Sequence, residues 1–290
     1  MKKILKPHLK HSKRTVKKQQ ANSTVSICRS GLFLPVKKSA MNDNKRIFSN
    51  KWVNATVTGN INQTHQNIID AIFASAINIE KSPDGQIGIQ FSPYRVLKKI
   101  GHKNSTHYKW LFDRLEELRI AQVLIISADA AKGESSGIIR LHRWSKIPNE
   151  IARKRGGFNK ESFLYGVVFE RGFAKFFNIE TNINYLRKLD DIVSLRHGIN
   201  QALVRFCLSH NKLNMDLKEV LSSLGLYDDI SKSNIKKIYR NINEEREYMK
   251  EKFSIEIKKA STGNNTVFYK KLDDVYFFKS EENFGYSNDK

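Results

Sequence analysis

Apolar side chains recur at helical spacing three times in the first half of the chain, which predicts three amphipathic helices. The first helix begins near Gln63. The second is short: it follows Ser92-Pro93, which join an N-cap residue to a proline at the first helical position, and it ends at Gly101. The third opens after Asn104-Ser105. Their apolar faces consist of Ile68, Ile69, Ile72, Phe73 and Ala76, of Val96, Leu97 and Ile100, and of Tyr108, Leu111, Phe112, Leu115 and Leu118.

Strand-like patterns flank these helices. Trp52–Val57 alternates between apolar and polar residues and predicts a strand before the first helix. After the third helix, Ala121–Ile126 predicts a strand, Ser127–Gly137 a polar loop that contains glycines, and Ile138–Trp144 the returning strand of a hairpin. Three helices followed by a hairpin is the element order of a winged helix. In that fold the third helix lies in the major groove of DNA, and the hairpin loop contacts the backbone or the minor groove.

The same order recurs in the second half of the chain. The pattern predicts a long helix over residues 191–210, a short helix that ends at Gly225, and a long helix after Ser231. Two strands of a hairpin follow, Phe253–Ile257 and Thr266–Tyr269. The repetition is one of element order, because the residues of the two halves do not match.

These elements predict an α+β protein with two winged-helix domains in tandem. Residues 1–25 are expected to be a disordered basic arm, and residues 276–290 a flexible tail. The N-terminal winged-helix domain spans 26–182 and includes extra strands, among them Leu164–Phe169, which closes its sheet. The C-terminal winged-helix domain spans 183–275.

The charge of the chain indicates the class of molecule that it binds. The 290 residues carry a formal net charge of +22, and no Asp or Glu precedes Asp43. Residues 1–42 hold eleven Lys or Arg, and the remaining 248 hold 40 basic and 29 acidic side chains, so the folded body is itself basic. Such a surface attracts polyanions, and nucleic acid is favoured over an anionic membrane because no exposed aromatic stripe accompanies the charge.

The helix after Ser231 carries the clearest candidate contacts to DNA. Lys232, Lys236 and Arg240 are spaced by four residues and share one face, with Ser233 and Lys237 beside them. Lysine and arginine on such a face can reach phosphates or the O6 and N7 acceptors of guanine. The alternative interpretation is an ordinary solvated charged face; the segregation of basic from acidic residues favours DNA.

The first domain offers a less explicit set of contacts, because acidic residues are mixed with the basic ones on its third helix. Phosphate contacts are also expected from the predicted hairpin loop and the strand after it. The candidate residues of this domain are Lys103, Ser105, His107, Lys109, Arg114, Lys132 and Arg140.

The sequence lacks the common signatures of catalysis. The eight histidines are scattered singly, no P-loop or nucleophile motif occurs, and Cys28 and Cys207 have no metal-binding spacing. We therefore expect no enzyme, no cofactor and no metal. No apolar run approaches membrane-spanning length and Met1–His8 lacks a signal-peptide core, so the expected location is the cytoplasm, on the nucleoid or a plasmid.

Four segments carry a resemblance to a known family: Ser26–Phe33, Thr58–Asn67, Tyr108–Leu118 and Leu203–His210. Together they mark a stretch of roughly residues 26–272 that resembles the plasmid replication initiator (Rep) proteins, a family of tandem winged-helix proteins, and especially their TrfA-type branch. The resemblance rests on diffuse patterns rather than on a sharp catalytic motif.

The resemblance implies a function for the chain. It implies binding to repeated double-stranded DNA sites (iterons) at a plasmid origin, opening of the duplex, and recruitment of the host replication initiator and the replicative helicase. It also implies self-association, with a monomer that initiates and a dimer that represses. In the family the C-terminal unit dominates repeat recognition, which corresponds here to Lys232–Arg240.

Two other classes of protein remain as alternatives. A winged-helix transcriptional repressor would make the same DNA contacts without a role in replication. A nicking enzyme would need a metal-binding histidine pair and a nucleophilic tyrosine, and the sequence shows no such set.

Overall fold

The computed structural model describes residues 22–35, 45–49, 53–102, 107–127, 133–147, 162–179, 182–226, 232–259 and 264–278. Within these ranges the fold is mixed α+β. The helices are α1 (Val25–Arg29), α2 (Gln63–Ala74), α3 (Pro93–Lys99), α4 (Tyr108–Ile120), α5 (Arg171–Ile179), α6 (Leu189–Ser194), α7 (Gly198–Leu208), α8 (Leu217–Ser223), α9 (Lys232–Glu244) and α10 (Arg246–Phe253).

The strands of the described residues form four antiparallel sheets. The strands are β1 (Ser23–Thr24), β2 (Lys45–Ser49), β3 (Val53–Thr58), β4 (Ala76–Lys81), β5 (Ile87–Phe91), β6 (Gln122–Ser127), β7 (Gly133–Gly137), β8 (Ile139–Ile147), β9 (Ser162–Phe169), β10 (Asn182–Asn184), β11 (Lys212–Asp216), β12 (Ile255–Lys259), β13 (Asn265–Lys270) and β14 (Tyr276–Phe278). The strand orders are β2-β3-β6-β7, β4-β5-β9-β8, β1-β10-β14 and β11-β13-β12.

The three helices predicted in the first half are present, but the first ends at Ala74, so Ala76 of its predicted apolar face lies on strand β4 instead. The side chain of Asn62 caps α2 by accepting a hydrogen bond from the Thr64 amide at 3.0 Å. Proline opens α3, and Gly101 follows it with a φ of +85°, which a residue with a side chain rarely adopts. Leu111 and Leu115 of α4 are fully buried, as the apolar stripe predicts.

The hairpin of the first half differs from the prediction. Residues 133–137 of the predicted loop form strand β7, and β7 rather than Ile138–Trp144 pairs with β6. Strand β8 turns away at Ile138 and pairs with β9 in a different sheet. The sequence Gly-Glu-Ser-Ser-Gly has no apolar alternation, so its strand is held by backbone hydrogen bonds to β6 and not by a buried face. The hairpin β4–β5 was not predicted either.

The second half contains the predicted short helix and hairpin, but its long helices are interrupted. The helix expected over residues 191–210 breaks at 195–197, between α6 and α7. The helix after Ser231 breaks at Glu245, between α9 and α10. These breaks meet: the Glu245 carboxylate accepts from the Arg196 amide at 2.7 Å and from the His197 amide at 3.4 Å. Each interruption therefore provides hydrogen-bonding groups for the other.

Two segments expected at the unstructured ends belong to a sheet. Residues 22–25 of the predicted arm include β1, which pairs with β10, and residues 276–278 of the predicted tail form β14 on the other side of β10. The rest of the arm and of the tail lies outside the described residues. The sheet β1-β10-β14 thus joins strands that are far apart in the sequence, with β10 at its centre.

Two apolar cores lie on either side of a polar seam. The first holds the faces of α2, α3, α4 and α5, with Phe73 stacked on Phe169 and Phe177 at centroid distances of 5.7 and 5.4 Å. The second holds α7, α8, α10 and the faces of β12 and β13. Helices α2 and α7 meet where the two cores adjoin.

The seam is centred on an ion pair between Asp70 of α2 and Arg205 of α7. Both side chains are 1% exposed, and the guanidinium Nη2 and Nε donate to the Asp70 carboxylate at 2.8 and 3.2 Å. The same carboxylate accepts from the Tyr185 hydroxyl and from Asn22 Nδ2 at 2.9 Å. Burial raises the pKa of the Tyr185 hydroxyl, which therefore remains a donor.

Arg205 also donates to two further side chains of α2. Its Nη1 donates to Gln63 Oε1 at 2.8 Å and its Nη2 to Asn67 Oδ1 at 2.6 Å. Asn67 in turn donates to Gln201 on α7 at 3.1 Å. The charge of Arg205 is thus compensated without water, which is the condition for burying an ion pair.

We expect Asp70→Ala to be strongly destabilising, because it leaves the Arg205 guanidinium buried without its counter-charge. The expected loss is about 3–5 kcal/mol in the free energy of unfolding, measured by urea denaturation. The matched variant Asp70→Leu with Arg205→Met removes both charges, and we expect it to be more stable than Asp70→Ala because no buried charge is left unpaired. It should remain less stable than the unchanged protein, since the polar side chains that bond to the pair lose these partners. A double variant as unstable as Asp70→Ala would contradict this account.

Candidate nucleic-acid interface

Helix α9 presents a cationic face to solvent and an apolar face to the second core. Ile242 is buried, whereas Ser233, Lys236, Lys237 and Arg240 are exposed. Among the described residues none forms an ion pair with Lys236 or Lys237, and Arg240 approaches Glu244 only at 3.7 Å. Such an exposed pair contributes little, so all three cations are available to an external anion. The backbone of Lys232 opens the helix; its side chain lies outside the described residues.

An open depression of about 650 Å³ runs along this exposed face. Its lining combines basic, apolar and amide groups from successive turns of α9, with the carboxylate of Glu244 at one end. The lining residues are Ile235, Lys236, Tyr239, Arg240, Asn243 and Glu244. Contacts of this mixture suit a ligand with both phosphate and base-edge groups.

The far end of α9 is fixed to α7 by hydrogen bonds. Asn200 Nδ2 donates to the Asn241 carbonyl at 2.8 Å and to the Glu245 carboxylate at 2.6 Å. His197 Nε2 contacts Glu244 at 2.9 Å. The acidic residues after the basic face therefore anchor the helix to the body of the protein. Sequence reasoning missed Asn200 and Glu245, because no local pattern connects residues 45 positions apart.

Helix α4 differs from α9, because its basic side chains are paired on the helix itself. Lys109 contacts Asp113 at 3.3 Å, Arg114 contacts Glu117 at 2.6 Å, and Arg119 contacts Glu116. Hydrogen bonds from Arg119, and then from His142, lower the pKa of Glu116 to about 2. The candidate residues Lys109 and Arg114 thus lie on a helix whose surface charge is largely compensated.

A small aromatic cluster precedes α4. The ring of His102 lies 4.4 Å from that of the candidate residue His107 and 4.7 Å from that of Trp110. Burial, together with the charge of His107, lowers the pKa of His102. His107 is therefore part of a packed cluster at the helix start.

Of the other candidates of the first half, Arg140 alone lies within the described residues. Arg140 is exposed on β8, which lies in a different sheet from the β6–β7 hairpin, so Arg140 does not extend that hairpin. Lys103, Ser105 and Lys132 lie outside the described residues. Strand β8 nevertheless packs against α4: His142, two residues after Arg140, contacts Glu116 of α4 at 2.8 Å and its ring meets that of Phe112.

The second hairpin adds basic groups that sequence reasoning missed. Lys258 and Lys259 are exposed at the end of β12, where the β12–β13 turn begins. Lys258 pairs with Glu256 and lies over the Phe268 ring at 5.6 Å. The alternation Ile-Glu-Ile-Lys-Lys indicates the strand and its exposed side, and the two lysines at its end were the available signal.

Metal-binding, membrane-spanning and thiol groups bear on other possible functions. The described residues contain no cluster of three or more His, Cys, Asp or Glu side chains that could hold a metal ion. Their helices include none long and apolar enough to cross a membrane. Cys28 and Cys207 are buried free thiols, and burial raises the pKa of Cys28 to about 11.

The fold is shared with a known pair of domains. A crystal structure of domain 2 and domain 3 of RctB matches 87% of this chain and 100% of its own, with a TM-score of 0.53 and 11% sequence identity. A second structure of RctB domains 2-3 matches 85% of this chain and 96% of its own, with a TM-score of 0.46 and 12% identity. The first match shows a common fold. No protein-family model and no curated protein sequence matches the chain.

Helix α9 should depend on Glu245 for its position. We expect Glu245→Ala to lower the free energy of unfolding by about 1–3 kcal/mol, because the amides of Arg196 and His197 and the Asn200 side chain lose their acceptor. The measurement is urea denaturation followed by circular dichroism. The control is Glu247→Ala, an exposed acidic residue two positions later; equal losses for the two variants would refute the anchoring role.

The capping of α2 should give the protein a dependence on mild acid. His65 Nδ1 accepts from the Asn62 amide at 3.1 Å, its Nε2 contacts Glu117 at 2.7 Å, and burial lowers its pKa. Below about pH 6.5 the unfolded chain takes up a proton that the folded chain does not, so stability falls as the pH drops toward the folded pKa.

The variant His65→Gln isolates this titration. Glutamine at this position of a capping box retains an acceptor for the Asn62 amide but does not titrate. We expect its free energy of unfolding to fall less than that of the unchanged protein between about pH 7.5 and pH 5.5. Parallel pH profiles for the two proteins would show that His65 is not the group responsible.

Proposed function

We propose that this protein binds specific double-stranded DNA through two winged-helix units in tandem and initiates plasmid replication at repeated origin sites. DNA binding is supported mainly by the cationic face of α9. Lys236, Lys237 and Arg240 are exposed on a helix whose opposite side is buried. A helix held in this way can enter the major groove without unfolding.

The element order supports the tandem winged-helix interpretation. Helices α7, α8 and α9 precede the β12–β13 hairpin, and β11 adds a third strand to it. Helices α2, α3 and α4 precede the β6–β7 hairpin in the first half. In each half the third helix then takes the place of the recognition helix and the hairpin that of the wing.

The two units are proposed to contribute differently to recognition. The free cations of α9, with Lys232 and Ser233 at its start, would read base edges and phosphates. In the first unit Lys109, Arg114 and the residues before α4 would supply weaker contacts, because the ion pairs of α4 compete with phosphate. The proposed function is DNA binding without catalytic chemistry, a cofactor or a metal.

The replication role is supported by likeness rather than by chemistry. The sequence resembles the Rep initiators, and the fold is that of domains 2 and 3 of RctB, a replication initiator. The proposed partners are therefore origin DNA, the host initiator and replicative helicase, and a second copy of the chain. A transcriptional repressor with the same DNA contacts is the alternative.

DNA footprinting on the sequence that flanks the gene tests this proposal, at physiological salt and with purified protein. Several evenly spaced direct repeats within the protected region would support an initiator. Protection of a single inverted repeat would favour the repressor instead. Absence of discrete protection would reduce the protein to a non-specific nucleic-acid binder.

The α9 face should account for sequence discrimination. We expect Lys236→Ala with Arg240→Ala to weaken binding to the protected DNA by about 30-fold or more, since two base contacts of about 1–3 kcal/mol each are lost. Binding to unrelated DNA should fall less. The control removes the same charge from α10 (Lys250→Ala with Lys252→Ala), where both lysines already pair with glutamates. Equal losses on specific and unrelated DNA would reduce the α9 residues to phosphate contacts.

A further inference from the structure

A continuous series of polar contacts joins α4 to α9 across the seam between the two cores. Its first step links α4 to α2 through Glu117. This carboxylate contacts Arg114 on its own helix at 2.6 Å and His65 on α2 at 2.7 Å. Because His65 is fully buried and also caps α2, the start of α2 has a defined position relative to α4.

The second step links α2 to α7. Gln63, Asn67 and Asp70 follow one another at spacings of four and three, so they form one stripe along α2. Arg205 binds all three, and Gln201, one turn earlier on α7, binds Asn67. A shift of one helix turn along this contact would break every one of these bonds.

The third step links α7 to α9. Asn200, adjacent to Gln201, holds the Asn241 carbonyl and the Glu245 carboxylate. The Gln201 amide donates to the Leu195 carbonyl at 3.1 Å, in the break between α6 and α7. Each step uses buried or half-buried groups, so solvent exchanges with few of these bonds.

Such a series of buried polar contacts adds little to the stability of the fold, but it defines a single relative position of the helices. Desolvating Asp70 and Arg205 opposes much of their attraction. Apolar surfaces tolerate sliding, whereas hydrogen bonds are directional. The cost of burying these groups is explained if the exact offset between α2 and α7 matters for function.

We propose that Asp70 and Arg205 are positioning residues that fix the spacing between α4 and α9, so that the protein recognises a composite DNA site of one length. This proposal rests on the proposed DNA-binding function of the two helices. Neither side chain reaches the surface, so both act through the helices they join.

The spacing itself can be measured without DNA. Spin labels at Ile120→Cys, on an exposed residue at the end of α4, and at Asn243→Cys on the exposed side of α9 report the distance between the helices. Cys28 and Cys207 are buried, and labelling of the protein without the added cysteines gives the background. We expect one narrow distance distribution.

The same labels are placed in the Asp70→Leu, Arg205→Met protein, which replaces the buried ion pair with apolar side chains. We expect its distance distribution to be at least about twice as broad, or to contain a second maximum, because only the directional contacts are lost. An unchanged distribution would overturn the proposal. If this variant does not fold, Asp70→Asn, which keeps the shape of the side chain and removes its charge, is measured against the same criterion.

DNA of altered length supplies the functional readout. Inserting five base pairs between the two protected segments of the footprint turns one segment by about half a helical turn relative to the other. We expect the unchanged protein to lose about 100-fold in affinity, as for a bivalent ligand that can engage only one site. The double variant should lose less than about tenfold.

The outcomes separate the inference from the proposed function. If the inserted base pairs reduce the affinity of the unchanged protein and of the double variant by the same factor, Asp70 and Arg205 do not set the length of the DNA site. If no discrete footprint is found, the proposed DNA recognition is rejected. The spin-label distances would still show whether Asp70 and Arg205 fix the spacing between α4 and α9. Loss of all binding by the folded double variant on unaltered DNA would also count against the inference, since positioning should affect length discrimination before contact affinity.

Discussion

The ion pair between Asp70 and Arg205 is the interaction on which the arrangement of the two halves depends. A guanidinium removed from water must find partners for its donors, and Arg205 obtains them from three residues of α2 and from Tyr185. This requirement explains why one whole stripe of α2 is polar although the helix is buried nearly throughout. It also accounts for the buried position of Asn22, whose side chain completes the carboxylate's coordination at the very start of the described chain.

Much of the fold could be predicted from the sequence where the determining interactions are local. Helices α2, α3 and α4 show an apolar stripe or a capping residue, and both signals act within a few residues. The polar stripe of α2 has the pattern of a solvent-exposed face; its burial depends on Arg205, 135 positions away. Strand β7 could not be predicted for a similar reason, because its pairing with β6 is a property of the backbone and not of an apolar face.

At the candidate interface, too, contacts within one helix could be predicted from the sequence and contacts between distant segments could not. The pairs Lys109–Asp113 and Arg114–Glu117 on α4 follow the three- and four-residue spacings of a helix, and their mutual neutralisation could have been deduced from the sequence. The anchoring of α9 by Asn200 and Glu245 could not, because it requires two helix breaks to meet in space. The mixture of charges on α4 already distinguishes it from α9 in the sequence; the structure adds that the basic side chains of α4 are paired, whereas Lys236 and Lys237 of α9 form no ion pair within the described part of the chain.

The distribution of acids and bases along α9 has a physical consequence for recognition. Lys232, Lys236 and Lys237 lie in the first half of α9 and Arg240 follows one turn later, whereas the acidic residues at its end contact His197 and Asn200. A phosphate backbone is therefore drawn toward one end of α9 and repelled from the other. Since α9 is fixed to α7, and α7 to α2 through Arg205, this polarity defines how the whole molecule would lie on a duplex. The proposed DNA-binding function would use an orientation of this kind.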